Sequence, residues 1–427
     1  MTLGSINILK ATGVQDEYLI GNPQMTFFKS VYRKHTNFSS DWIDIESKDI
    51  TDFDKKIKFT IPREKGDMIN DIVLRIKIPQ LKTNNNNHTI RWVENLGHAI
   101  IDYVELKIGN NTIDKQYGDF MEIYKQLNIT KDKEVAYDTM LGNTTILRDE
   151  KSATNSYVLL VPLLFWFCKD IGLSLPLVAL GAHDVEIYVK FKKLDNLILK
   201  SDNTNVNSNS AVSVEQVENL ESNLIGKFFK LDNLERKRFQ SITHRYLIEQ
   251  TQIKGPITLK SKLENITLDF NLPVKELIWY GIQKNFTEST YRLNSYETED
   301  YNLPFNFTSS SISSIGYNMF KNFSMNINGL EYFTNVEPQI FNLYYPFKYH
   351  NKTPQTGLYI YSFAEKPNEY QPSGSCNFSR LDMASTKLIL ETNQTNTSPI
   401  LFRIYAINYN ILEIDGDLGQ ASLTYFN

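Results

Sequence analysis

Cysteine is nearly absent: Cys168 and Cys376 are the only two in 427 residues. They stand far apart, with no Cys-x-x-Cys or His-x-x-x-His spacing around them, so neither a zinc site nor a disulfide framework is indicated. Both are expected to be buried or inert thiols in a chain made in a reducing compartment. Positive charge is in no surplus either. With 45 Lys and Arg against 49 Asp and Glu, the net charge is −4. A protein that coats duplex nucleic acid needs the opposite balance, so no direct sequence-specific nucleic-acid binding is expected. Long apolar runs are also missing. The most apolar stretch, Val158–Cys168 (VLLVPLLFWFC), contains Pro162 and reaches about half the ~20 residues of a membrane helix. It reads as a buried strand and loop of a soluble protein. Met1–Leu9 lacks the basic start and apolar core of a secretory leader.

The familiar signatures of catalysis are absent too. There is no G-x-x-x-x-G-K-[ST] phosphate loop, no G-x-G-x-x-G, no H-E-x-x-H and no G-x-S-x-G elbow. The six histidines never fall at ligand spacing. His183-Asp184 reads as a turn pair opening a strand at Val185, and Glu297/Glu299 lie in a tyrosine-rich polar loop that they keep solvated. No enzymatic activity, metal or cofactor is expected. Asn-x-Ser/Thr triplets recur from Asn37 to Asn396; an Asn-, Ser- and Thr-rich composition produces them by chance, and they assign no glycosylation site.

Aromatic residues are plentiful, at 12% with 24 Tyr and 25 Phe, which favours pleated, half-buried surfaces. Period-two alternation recurs. Ile72, Leu74, Ile76 and Ile78 face a core, with Val73, Arg75 and Lys77 opposite; Val104, Leu106 and Ile108 do the same, as do Val185, Ile187, Val189 and Phe191. Phe323, Met325 and Ile327 alternate up to a turn at Gly329. Leu401–Ile414 is apolar on both parities, as in a central strand covered on both sides. Helices are few. Asp119–Leu127 places Phe120, Ile123, Tyr124 and Leu127 on one face with Asp119 as cap. Asp232 with Glu235 opens a short basic helix through Phe239 like a capping box. Thr83–Thr89 and Ser201–Ser213 are polar, low-complexity loops, expected to be exposed and mobile. A domain boundary is placed at Asp232–Ile242, although no sequence repeat links the halves.

From Gly21 the residues become specific. Gly21–Phe38 (GNPQMTFFKSVYRKHTNF) closely resembles the opening signature of the major capsid proteins of nucleocytoplasmic large DNA viruses, the iridovirus, phycodnavirus and mimivirus relatives. Six further blocks follow in that family's order: Arg91–Leu127, Val161–Phe191, Leu231–Gln252, Leu268–Gln283, Tyr361–Asp382 and Tyr405–Ile414. Departures lie in Asp195–Leu224 and Lys284–Tyr317, and Leu418–Asn427 matches only loosely.

The resemblance implies an all-β double jelly roll, two eight-stranded antiparallel β-sandwiches in tandem with a few short helices. Its parts would be an N-terminal arm (1–24), a first jelly roll (25–231), a linker with a short helix (232–242) and a second jelly roll (243–427). It further implies a structural major capsid protein of the virion, synthesised in host cytoplasm. Homotrimers would form pseudo-hexagonal capsomers that tile an icosahedral shell, meeting neighbouring capsomers, minor capsid proteins and the internal membrane side of the shell. The alternatives are a minor capsid or scaffold version of the same fold and, in a different class, a carbohydrate-binding or carbohydrate-processing β-sandwich using Trp42, Trp92, Trp166 or Trp279. Met1–Asn22 reads as an arm without periodicity. The basic aromatic run Phe27–Phe38 reads as a first strand, because Phe27, Val31 and Phe38 need burial, with a phosphate- or membrane-binding role as the other option. The long aromatic loop Asn271–Tyr317 and the stretch Tyr332–Tyr349 are the candidates for contacts between subunits, notably Tyr332, Phe333, Phe341, Tyr344, Tyr345 and Phe347. The competing reading is that these rings fill each sandwich's own core.

Overall fold

A computed structural model describes residues 3–85, 87–202, 212–288, 303–310, 316–393 and 399–425. Glu297 and Glu299, and most of the Ser201–Ser213 loop, lie outside the described residues. Two bodies, residues 1–37 and 38–427, are described separately.

In the first body, Leu3–Lys10 is an α-helix (α1) with no buried residue, where the sequence shows no periodicity. Residues 21–37 contain no strand, and Phe27, Phe28, Val31 and Tyr32 are all exposed, Phe28 to 97%. This corrects the expected strand at Phe27–Phe38. The ladder begins only at Phe38, opposite Leu231. Leu231 is the last residue of its strand, so no partner backbone continues past that pair.

Eight strands build the first sandwich of the second body, apart from four short ones in two side ribbons: β1 (Phe38–Glu46), β2 (Lys56–Thr60), β3 (Met68–Ile78), β4 (Ile101–Ile108), β5 (Asn111–Tyr117), β6 (Tyr157–Pro162), β7 (Val185–Phe191) and β8 (Glu221–Leu231). They pair as two antiparallel sheets, β1-β8-β3-β6 and β2-β7-β4-β5. A second set comes after them: β9 (Thr243–Leu259), β10 (Leu263–Thr267), β11 (Pro273–Gln283), β12 (Phe320–Ile327), β13 (Leu330–Val336), β14 (Leu358–Ser362), β15 (Lys387–Thr392) and β16 (Ile400–Asp415). Its sheets are β9-β16-β11-β14 and β10-β15-β12-β13. Adding eight to each strand number of the first set gives the second. Both have the jelly-roll order, so the duplication invisible in the sequence is written in strand pairing.

Alternation sets the inner faces. In β3, Ile72, Leu74, Ile76 and Ile78 are buried while Val73, Arg75 and Lys77 are not; β4 and β7 repeat the pattern. The β12–β13 hairpin turns on Asn328 and Gly329, both at positive φ, the geometry whose twist matches the flanking strands. The Asn271–Tyr317 "loop" is corrected at its start: residues 273–283 are β11, a strand buried on both faces, because its apolar run carries no alternation. The polar loops are also shorter than expected: Ser201 and Asp202 continue a strand, Ile198–Asp202, that pairs with His88–Trp92.

The longer helices are α2 (Gly118–Asn128), α3 (Lys131–Met140) and α4 (Asn233–Ser241). In α4 the Asp232 carboxylate accepts from the N–H groups of Leu234 and Glu235 at 3.0 and 2.9 Å, as expected of a cap. In α2, Asp119 is not the cap. Tyr117 stands there, and Asp119 lies inside the helix with its side chain drawn away to distant partners. Among the described residues no helix is long and apolar enough to cross a membrane.

Candidate functional site: the seam between the sandwiches and the surfaces left open

The two sandwiches meet along a buried seam. The sheet β9-β16-β11-β14 has two covered faces. One, with Leu277, Trp279, Tyr359, Phe402 and Ile404, fills the second sandwich. The other, with Ile278, Tyr280, Ile360 and Tyr405, joins the first sandwich's core. Strand β5 and helix α2 cover this second face. Phe120 of α2 packs on Tyr405 with ring centroids 5.4 Å apart. The Thr251 N–H donates to Asp114 at 3.0 Å, and the Gln250 side chain donates to the Ile113 carbonyl.

Buried charge organises the seam. Asp119 accepts from the Tyr405 hydroxyl at 2.6 Å, from the Tyr280 hydroxyl and from the Arg403 guanidinium. Burial raises its proton affinity, but the Arg403 charge and the two hydroxyls overcome that and hold the carboxyl below its usual range. For Asp114 burial dominates, and the Lys169 charge offsets it only in part. Burial pushes it up to about 6, although Thr251 and Gln116 donate to it. Glu249 is flanked by Lys169 and Lys275; burial opposes ionisation, yet the two ammonium groups hold it down to about 2. Asp114, Glu249 and the two lysines, with Phe120 and Trp166, line a cavity of about 530 Å³ at the seam. Further along, Lys352 donates from its backbone to the Leu127 carbonyl at 2.9 Å and from Nζ to Glu134 of α3 at 2.6 Å. At the opposite edge the His183 ring accepts from the Ala421 N–H at 3.1 Å, and β7 starts at Val185. That is the turn role read from the sequence.

Behind α2, His98 and Glu122 form a buried pair at 2.9 Å, and burial pushes the imidazole's pKa down. Cys168 and Cys376 are unpaired; burial pushes the Cys168 thiol up to about 12. Trp92, Trp166 and Trp279 are buried, which leaves Trp42, 53% exposed, as the one tryptophan with a face toward solvent. A sugar platform built on the four tryptophans is therefore not assembled.

The six candidate contact residues divide. Phe341 is 1% exposed and belongs to the second sandwich's own core, 5.3 Å from Trp279. Tyr345 stacks on it with an interplanar angle of 6°, and both Tyr345 and Phe333 pack against that core. Tyr332 is half exposed, its hydroxyl accepting from Tyr361 at 2.6 Å. Tyr344 and Phe347 project outward, 56% and 79% exposed. Sequence reasoning misses the Asp119 cluster altogether, since its partners lie more than a hundred residues away and leave no local pattern. It also passes over Val73, an apolar residue on a polar parity. That signal marks an open outer face on β1-β8-β3-β6.

A family model described as the major capsid protein N-terminus matches residues 26–225, and one described as the large eukaryotic DNA virus major capsid protein matches residues 235–420. The major capsid protein of Pyramimonas orientalis virus is 34% identical over 450 residues, covering 99% of this chain and 100% of that one. That of Paramecium bursaria Chlorella virus 1 is 32% identical over 464 residues, with the same coverage. A solved PBCV-1 capsid subunit, fitted into a reconstruction of the virophage Sputnik, superposes with a TM-score of 0.76 at 28% identity, over 94% of this chain and 100% of that one. These relatives are structural proteins of capsids, and their double jelly roll is the strand order seen twice here. The chain therefore belongs to the major capsid protein family of large eukaryotic DNA viruses, with a structural rather than an enzymatic role.

Proposed function

We propose that this chain trimerises into a pseudo-hexagonal capsomer, and that such capsomers tile an icosahedral virion shell. In this reading residues 25–231 and 243–427 are the two jelly rolls, joined through 232–242, and residues 1–24 are an arm reaching a neighbouring capsomer or a minor capsid protein. The observation that carries the reading is the repeated strand order held by a buried, charge-locked seam. Two similar wedges fixed side by side are the unit from which three chains make six-sided symmetry, each contact joining unlike faces. Obligate contacts of this kind typically bury roughly 2,000–5,000 Å² with apolar cores, and the exposed Tyr332, Tyr344 and Phe347 are suited to one. Synthesis in host cytoplasm and a membrane-facing inner side belong to the same proposal. Light scattering of the purified full chain should give three times its 49.5 kDa mass, and electron microscopy should show hexagonal particles. A persistent monomer under mild conditions would overturn the reading.

A further inference from the structure

A group of polar side chains behind α2 makes none of the seam's charge contacts. Lys125 of α2 is 5% exposed, and Glu122, on the preceding turn, is 2% exposed. Asn95 stands at the cap position of the short helix Leu96–Ala99, at φ 50°, yet its side chain makes no cap. It turns inward instead. The Lys125 ammonium donates to Asn95 Oδ1 at 2.7 Å, and Asn95 Nδ2 donates to Glu122 Oε1 at 3.2 Å. A lysine only donates and a carboxylate only accepts, so the amide is fixed with its carbonyl toward Nζ and its nitrogen toward Glu122. Asp138 of α3 forms an ion pair with the same ammonium. The other Glu122 oxygen meets His98 Nδ1 at 2.9 Å, and the Tyr137 hydroxyl lies 3.4 Å from His98 Nε2. A buried lysine needs acceptors, and Asp138 already supplies the countercharge. It does not need an amide carbon within reach, nor a second carboxylate on that amide's nitrogen.

We propose that Lys125 and Asn95 join in an isopeptide bond, a side-chain amide that the folded chain makes by itself. The 2.7 Å hydrogen bond and a carbonyl bond of about 1.23 Å put Asn95 Cγ within about 3.9 Å of Nζ. That is close to the ~3–3.5 Å of a near-attack geometry. Asp138 takes one proton from the ammonium, which frees the Nζ lone pair to attack Cγ. In the tetrahedral intermediate Nζ gives up a second proton, and the Cγ–Nδ2 bond breaks as the carbonyl re-forms. Both protons pass through Asp138 and Glu122 to Nδ2, which departs as ammonium. Nothing is oxidised or reduced, and no co-reactant is consumed. The positive charge that the fold buries on Lys125 leaves with the ammonium. The new bond spans 30 residues and ties α2, which covers the second sandwich, to the turn ahead of Leu96–Ala99. Closing such a loop removes conformational freedom from the unfolded chain, so the staple favours the fold.

Intact-mass spectrometry of the purified full chain, incubated at neutral pH, should give the sequence mass less one ammonia. A tryptic digest should contain one branched peptide in which Asn95 and Lys125 are joined, with no cleavage after Lys125. Lys125→Arg and Asn95→Ala should each restore the full mass. Glu122→Gln and Asp138→Asn should slow the loss at least about a hundredfold, as expected for removal of a positioned proton-transfer group. Folded wild type that keeps its full mass would overturn the proposal. So would an ammonia loss that persists in Lys125→Arg, which marks an asparagine closing on its own backbone. Should a variant not fold, the wild-type peptide map decides alone: joined peptides support the bond, and separate peptides of full mass refute it. Neither result depends on the state of assembly.

Discussion

Replacing Asp119 by alanine tests whether buried charge holds the two sandwiches together. Breaking a buried ion pair by removing one partner costs about 3–5 kcal/mol, because the other charge is stranded. The Arg403 side chain retains 31% exposure, so water can partly rehydrate it and the lower end applies. Tyr280 and Tyr405 each lose a charged acceptor, and a hydroxyl left buried without a partner costs about 1–3 kcal/mol. The three donors share one carboxylate, so these costs overlap rather than add, and we expect a total of about 4–5 kcal/mol. Asp119→Asn keeps the shape and one acceptor oxygen and should cost about half as much. Urea midpoints of the unassembled chain at pH 7 measure this, with Arg403→Gln and the double variant completing a cycle. Non-additivity of at least about 1 kcal/mol is expected for residues in direct contact. An additive cycle, or Asp119→Ala within about 0.5 kcal/mol of wild type, the usual range for an inconsequential surface change, would refute the seam's electrostatic account.

Other perturbations separate the remaining forces. Asp114 is raised from an ordinary value near 3.8 to about 6, so its charged form costs the fold about 3 kcal/mol, at about 1.36 kcal/mol for each tenfold gain in proton affinity. That cost is absent below the unfolded value and complete above the folded one; Asp114→Asn should flatten a decline in stability between about pH 4 and 7, and an unchanged decline would count against it. Glu249 has the opposite sign. Held down to about 2, it stabilises the fold above its ordinary range, and that contribution is lost as pH falls through about 2; Glu249→Gln should abolish this acid loss in a titration of urea midpoints. Gly357 sits at φ +98°, where an added Cβ would lie 1.9 Å from the Phe307 carbonyl oxygen, whereas at Gly329 (φ +77°) the nearest atom is 3.8 Å away. Thermal melts should therefore rank Gly357→Ala well below Gly329→Ala, the latter losing only the left-handed penalty of about 1–2 kcal/mol. Cys168, its thiol pushed up to about 12, should react with a disulfide reagent at about pH 8 far more slowly than the less buried Cys376, and the difference should vanish in denaturant.

What can be read from the sequence is whatever repeats over a few residues. The alternations in β3, β4 and β7 declare their buried faces because one side of each strand meets water. Where both sides are covered the signal fails, and β11 passes for part of an aromatic loop although it is among the most buried segments of the chain. Asp119 is legible as a helix-start residue and illegible as the keystone of the seam, since Tyr280, Arg403 and Tyr405 come to it from β11 and β16. Phe27 and Val31 show the converse error. Their apolar character suggests a demand for burial within one chain, yet both are exposed. Apolar side chains left outside a fold of this kind raise a question about the neighbouring copy. Val73 poses the same question from within a strand: it breaks the polar parity of β3 at a face that the second sandwich, in its own equivalent sheet, keeps covered. The alternation that is imperfect in β3 and absent in β11 is thus one pattern in two settings, an outer face left open within the chain and an outer face covered by another sandwich.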